Sequence, residues 1–266
     1  MSAYDLDIGG PEERPRTIRV GLIQKETSSK DFGLPEKGPY DTHGVSVYEG
    51  IIERALDADA DVLVAPEYFF LPGRPLSPKE KDELVSGMAA RTKGKDLLLL
   101  PGTYVWQDKE HVHSTLPLIH DGKVVRNYGK MFDGGEADIA LAYGREFASG
   151  SEDGAFTYKG LDMGVEVCAD HYQKHEWGAV RNPGCLQAEV DDDGLDLQLV
   201  VSCGMTIHDQ ALAVREEGYA VLCDGYIPMV QVYRYAPDDD GLLTTHRIDP
   251  VEVRGQLHIY ELEVGA

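Results

Sequence analysis

Regular patterning begins at TIRVGLIQ, residues 17–24, where branched apolar residues recur at the period of a strand. Between Gly44 and Ala58 the period changes, and Val47, Ile51 and Ala55, with Ile52 and Leu56 beside them, form an apolar stripe at helical spacing. DVLVAP (61–66) and DLLLLPG (96–102) are apolar runs closed by proline, the pattern of strands buried on both faces. Between them, SPKEKDELVSGMAARTKG begins with Ser77 as N-cap, Pro78 in the first turn and Glu80 placed to complete a capping box, which predicts a helix. STLPLIHDGKVVRNYGK reads as a hairpin turning at Asp121-Gly122. Strands follow at FTYKG, DMGVEVC and LDLQLVVSCG (195–204), then a helix over roughly 209–219, then strands at AVLCDG, IPMVQVYRY and QLHIYELEV.

Strand–helix alternation early, followed by many strands and fewer helices, predicts sheets covered by helices in one α/β domain. That domain is expected over 17–266, behind a flexible lead-in at 1–16 that is rich in Pro, Gly and charge. Asp191–Asp193 and Asp238–Asp240 read as solvated turns, and no repeat of solenoid period is present.

With 266 residues and 42% hydrophobic content, the chain can bury a sizeable core. Its net charge of −22 repels both nucleic acid and anionic membranes, so neither is an expected partner. The first residues form no apolar signal segment, and no run approaches the ~18 apolar residues of a membrane span. The four cysteines, Cys168, Cys185, Cys203 and Cys223, form no CxxC pair, which fits reduced thiols in a cytoplasmic protein.

Three positions could carry chemistry. Glu67 follows an apolar strand directly, where desolvation raises a carboxyl pKa unless the group is paired, as a general base near neutrality requires. A charge that merely caps the strand end is the plainer alternative. Lys130 ends the second arm of the hairpin and is uninformative alone. Cys168 follows DMGVEV, whose alternation puts Met163, Val165 and Val167 on one face and Gly164, Glu166 and Cys168 on the other. A lone cysteine in such a run is most often a small buried hydrophobe, and the same holds for Cys203 and Cys223.

In combination, these segments resemble the nitrilase, or carbon–nitrogen hydrolase, superfamily. VGLIQ is similar to its opening strand, DADVLVAPEYFF to its glutamate segment, NYGK to its lysine segment and MGVEVCAD to its cysteine segment. LDLQLVVSCG and ALAVREEGYAVLCDG resemble the elements that follow, in order and without a large gap from about Thr17 to the C-terminus. The resemblance implies a four-layer α-β-β-α sandwich, no cofactor and no metal. It also implies pairing of subunits into a homodimer or larger homo-oligomer. Glu67, Lys130 and Cys168 would form the triad, with the Ala169 N–H in the oxyanion site. Glu136, or failing it Glu146, would be the second glutamate.

The match has departures. Phe132 stands where many relatives have histidine, Ala169 where many have an aromatic residue, and HYQKHEW replaces an FPE-like continuation. Cys168 and Asp170 keep the Cys-x-Asp pattern of the amidase branch, whereas the Cys-Trp-Glu run of true nitrilases is missing. The expected activity is therefore hydrolysis of a small linear amide or carbamoyl compound through a cysteine thioester. A nitrilase, an amide-forming acyltransferase and a non-catalytic binding protein are the alternatives.

His171 and His175 have metal-ligand spacing, with Asp170 beside them. Tyr172 stands where a zincin has its glutamate, and no third ligand is obvious. A Cys168–His171 dyad would need residues three apart after a strand to face one another. The preferred expectation is that His171 and Tyr172 line the pocket mouth, with simple packing or solvent exposure as the alternative. Tyr68 and Ser202 are further candidates for the pocket wall.

Overall fold

The apolar runs assemble into two large sheets that share a core. The computed structural model describes residues 6–8, 16–27, 42–70, 74–150, 154–174, 180–182, 185–190 and 193–264. The first half of the chain gives β1 (Asp7–Ile8), β2 (Thr17–Ile23), α1 (Thr42–Leu56), β3 (Val62–Val64), α2 (Pro78–Thr92), β4 (Leu98–Leu100), β5 (Tyr104–Gln107), β6 (His111–His120) and β7 (Lys123–Gly129). Next come α3 (Glu136–Ala142), β8 (Glu146–Phe147), β9 (Ala155–Tyr158), β10 (Leu161–Val167), β11 (Gln173–Lys174), β12 (Val180–Asn182), α4 (Cys185–Glu189) and β13 (Leu195–Ser202). The chain closes with β14 (Val214–Asp224), β15 (Met229–Pro237), β16 (Leu243–Ile248), β17 (Glu252–Arg254) and β18 (Leu257–Glu263).

One sheet has the order β1-β9-β10-β13-β14-β15-β16 and the other β17-β18-β2-β3-β4-β6-β5, with β7 and β8 also pairing β6. Each is parallel at its centre, through β10-β13-β14 in the first and β2-β3-β4 in the second. Alternation decides what lies between them: Val20, Leu22, Val62 and Val64 from one sheet meet Met163, Val165, Val167 and Leu199 from the other in one buried cluster. A fully buried side chain of this kind contributes about 1.5–3 kcal/mol. On the outer face of the second sheet, Ile51, Ile52 and Ala55 of α1 and Leu84, Val85 and Met88 of α2 pack on Leu63 and Leu99. The layering is the expected α-β-β-α sandwich. On the outer face of the first sheet, Leu186 of α4 covers Ala155, Leu195 and Val214.

Local signals hold at several points. Ser77 accepts from the Glu80 N–H while the Glu80 carboxylate accepts from the Ser77 N–H, completing the capping box. Asp121 and Gly122 turn the β6–β7 hairpin with φ of 44° and 76°, the left-handed pair of a type I′ turn.

Two expectations fail. Residues 7–8 are not loose lead-in, because they pair with Thr157 and Tyr158 of β9 and bury Ile8; residues 1–5 and 9–15 lie outside the described residues. No α-helix forms over 209–219. Asp209–Ala211 make a single 3-10 turn, and β14 begins at Val214. The backbone of this crossover is satisfied by buried side chains: Gln198 accepts from the Ala213 N–H (2.9 Å) and donates to the Ala211 carbonyl (3.1 Å). Gly218 then lies so close to the Leu195 carbonyl that an added Cβ would sit 2.7 Å from it, and the stretch joins the sheet.

Candidate active site

Glu67, Lys130 and Cys168 each follow the end of a strand, β3, β7 and β10 respectively. The sheets bring those ends together, as open α/β sheets do at the carboxyl ends of their strands. Lys130 is 1% exposed, yet its ammonium is paired twice, at 2.8 Å from Glu67 Oε1 and 2.6 Å from Glu136 Oε1. Two carboxylates around one ammonium satisfy a charge that would be prohibitively costly to bury alone. Glu136 opens α3, receives the Tyr68 hydroxyl on Oε1, and accepts the Gly134 N–H on Oε2 at 2.8 Å. Gly134 is needed here, because a Cβ would stand 2.8 Å from the Lys130 Nζ. Of the two glutamates considered as the second acid, Glu136 is in the cluster; Glu146 begins β8 and pairs with His111.

The remaining oxygen of Glu67 is buried and has no hydrogen-bond partner. The Cys168 thiol lies near enough to Glu67 to favour the ionised carboxylate. Burial pushes the Glu67 pKa up, the Lys130 charge draws it down and the Glu136 charge pushes it up again, leaving it at about 7. Burial lowers the affinity of Lys130 for its proton, but the charges of Glu67 and Glu136 outweigh this and hold its pKa well above the ordinary value. Burial and the Glu67 charge raise the Cys168 thiol, against Lys130 and the Cys203 N–H, so the resting sulfur is protonated.

Cys168 has φ of +49°, a left-handed conformation unusual for a residue with a side chain, and it starts a 3-10 turn through Asp170. Asp170 ties this turn to the lysine segment. Its carboxylate accepts the Met131 and Phe132 N–H groups (3.1 and 2.7 Å) and the Tyr128 hydroxyl (2.8 Å). Burial raises Asp170 to about 7 despite these donors. The turn's own bond runs from the His171 N–H to the Cys168 carbonyl, which leaves the Ala169 N–H ahead of it at the first position.

The other pocket candidates are placed differently. Ser202 is fully buried and its hydroxyl donates to Asp224 at 2.5 Å; its carbonyl, not its side chain, meets the Glu67 N–H. Tyr68, with φ of +56°, is buried with its hydroxyl on Glu136. His171 is buried rather than at a mouth: Nδ1 lies 2.8 Å from Glu166 Oε2, and Nε2 accepts the His208 N–H at 3.1 Å. Tyr172 stacks on His208 at 3.9 Å and reaches Gln210. With both His171 nitrogens engaged within the protein, neither faces a metal, and among the described residues no group of three or more His, Cys, Asp or Glu side chains could hold one. His175 lies outside the described residues, as do Glu176 and Trp177.

Glu166 and Gln198 were missed by the sequence reading. The signal was available, since each is a polar residue on the outward face of an otherwise apolar strand. Among the described residues, no helix is long and apolar enough to cross a membrane.

This fold recurs in known proteins. The chain is similar to Nit3 from Saccharomyces cerevisiae, a member of branch 10 of the nitrilase superfamily, at 18% identity over 96% of this chain and 93% of that one, with a TM-score of 0.63. It is similar to an amidase from Nesterenkonia sp. AN1 solved in complex with acrylamide (15% identity, 95% and 93% coverage, TM-score 0.58). It also resembles a CN-hydrolase superfamily protein from Xanthomonas campestris carrying an arsenic adduct in its active site (16% identity, 93% and 91% coverage, TM-score 0.53). No protein-family model and no curated protein matches the sequence. The chain has the nitrilase-superfamily fold.

Proposed function

We propose that this protein is a carbon–nitrogen hydrolase that cleaves a small non-peptide amide through a thioester on Cys168. The reading is carried by the meeting of Glu67, Lys130 and Cys168, from three remote segments, around one buried ammonium–carboxylate pair. A neutral thiol is a weak nucleophile, and the free oxygen of Glu67 is the base that can take its proton as sulfur attacks the carbonyl carbon. The charge that develops on the carbonyl oxygen faces the Lys130 ammonium and the Ala169 N–H. Glu136 keeps Lys130 oriented and charged throughout. Collapse breaks the C–N bond, and the proton held on Glu67 passes to the leaving nitrogen. Water then enters, gives a proton to Glu67 and attacks the thioester; the acid leaves and the thiol is restored.

Cys168-Ala169-Asp170 in place of a Cys-Trp-Glu run favours an amide over a nitrile, and the likeness in fold to an amidase supports the same choice. The test is intact-mass spectrometry after brief incubation with a panel of small amides and nitriles, with ammonia release measured in parallel. An acyl adduct in the wild type that is absent from Cys168→Ala is the expected result. Neither adduct nor ammonia across the panel would leave a binding protein that keeps the fold.

A further inference from the structure

Beside the Cys168 turn lies a polar network that the proposed reaction does not use. Glu166, His171 and Gln198 are all fully buried there. We propose that His171 is a positioning residue that holds Cys168 in its attacking conformation, with Glu166 and Gln198 orienting the imidazole. The proposal rests on Cys168 being the nucleophile.

The left-handed backbone of Cys168 costs about 1–3 kcal/mol and persists only where the surroundings fix it. Asp170 fixes the turn from the lysine side. From the other side, the His171 N–H holds the Cys168 carbonyl at 3.0 Å, so the peptide after Cys168 cannot rotate unless His171 moves. His171 is pinned at both ring nitrogens. Because the His208 N–H can only donate, Nε2 is the acceptor and Nδ1 carries the proton given to Glu166. The ring is therefore a neutral imidazole of one defined tautomer.

Glu166 is held in turn. It accepts the Leu186 N–H on Oε1 (2.8 Å) and the Gln198 amide on Oε2 (2.9 Å). Gln198 grips both Ala211 and Ala213 at the far end of the crossover. The crossover begins at Cys203, whose N–H points at the Cys168 sulfur. One set of bonds thus fixes the nucleophile's backbone and the segment that lies against its side chain. An apolar residue at 171 would take one of three donors from the Glu166 carboxylate, remove the acceptor of the His208 N–H, and release the strained turn.

The experiment compares His171→Leu and His171→Asn with the wild type, each corrected for folded fraction by circular dichroism. Two readouts are used: steady-state amide hydrolysis, and the rate of Cys168 alkylation by iodoacetamide from pH 5 to 9, mapped by mass spectrometry. For His171→Leu, kcat should fall at least tenfold with KM within twofold. The alkylation profile, which in the wild type follows the ionisation of Glu67 at about 7 because Glu67 takes the thiol proton, should lose that dependence and rise only at higher pH, where the thiol ionises by itself. His171→Asn keeps an N–H for Glu166 and should regain kcat to within about threefold of the wild type. A folded His171→Leu with unchanged kcat and an unchanged alkylation profile overturns the proposal. If His171→Leu does not fold, Glu166→Gln keeps the volume and weakens the pin; it should lower kcat about threefold to tenfold at constant KM, and no change overturns the proposal equally. Should the wild type hydrolyse no amide, the functional reading fails, while the alkylation profiles still decide the role of His171.

Discussion

Replacing Glu136 with glutamine removes one of the two buried carboxylates that share Lys130, and the effect on Glu67 has a definite sign. In the wild type the Glu67 pKa stands at about 7 against an ordinary 4.5. At pH 5 that leaves roughly 1% of Glu67 ionised, where an unperturbed carboxyl would be roughly 75% ionised. In the proposed mechanism thioester formation needs the ionised base, so its rate should fall about tenfold per pH unit below pH 6. Lys130, raised well above its ordinary pKa, imposes no loss up to pH 9. The Glu136 charge is one of the causes that raise Glu67, so Glu136→Gln should move the midpoint to the acid side of 7. Lys130, freed of its second partner, should add to that shift. The assay is rapid-quench mass spectrometry of the first turnover between pH 5 and 9. A wild-type midpoint below about 5.5, or an alkaline shift in Glu136→Gln, would refute the reasoning. The same displacement bears on stability. The raised pKa makes ionised Glu67 less favourable in the fold than in the unfolded chain. The stabilisation that proton uptake gives is therefore complete below pH 4.5 and lost as pH rises through about 7.

Further outcomes follow from local geometry. Asp170→Ala strands the Met131 N–H, the Phe132 N–H and the Tyr128 hydroxyl; it should cost about 3 kcal/mol and lower the melting temperature by roughly 6–12 °C in differential scanning fluorimetry. Gly87 lies inside α2, beside a cavity of about 170 Å³, and an added Cβ would meet nothing within 4 Å. Gly87→Ala should therefore stabilise by about 1 kcal/mol, read as a melting temperature higher by roughly 2–4 °C. Ser77→Ala removes the N-cap of α2 and should lower the urea midpoint by an amount equivalent to about 1 kcal/mol, with an unchanged slope.

The proposed triad was legible because each member comes just after a strand whose composition announces it: DVLVAP before Glu67, a hairpin arm before Lys130, DMGVEV before Cys168. Period and capping residues are short-range signals, and they correctly gave α1, α2, the β6–β7 turn and the central strands. The expected helix at 209–219 failed for a long-range reason. The bonds that hold this crossover come from Gln198 and His171, and no window around ALAVREEGYAV contains them. His171 and Ser202 were read as pocket-facing from position along the chain alone. Their burial is set by Glu166 and Asp224, which reach them only after the sheet has formed. Glu136 and Glu146 could not be separated until α3 placed one of them against Lys130.

The helix-free passage from β13 to β14 also limits how the chain can vary. These strands are parallel neighbours, with Leu195 opposite Val214 and Ser202 opposite Asp224, so the connection must return along the whole strand, about 23 Å. The twelve steps from Ser202 to Val214 can span at most about 43 Å, and a 3-10 turn uses up part of that reach. Losing three residues would cut that reach to about 32 Å and draw the connection away from Gln198 and His171, which hold it. Most surface connections tolerate trimming, whereas a deletion here should cost stability by leaving the buried groups of Gln198 and His171 without their partners.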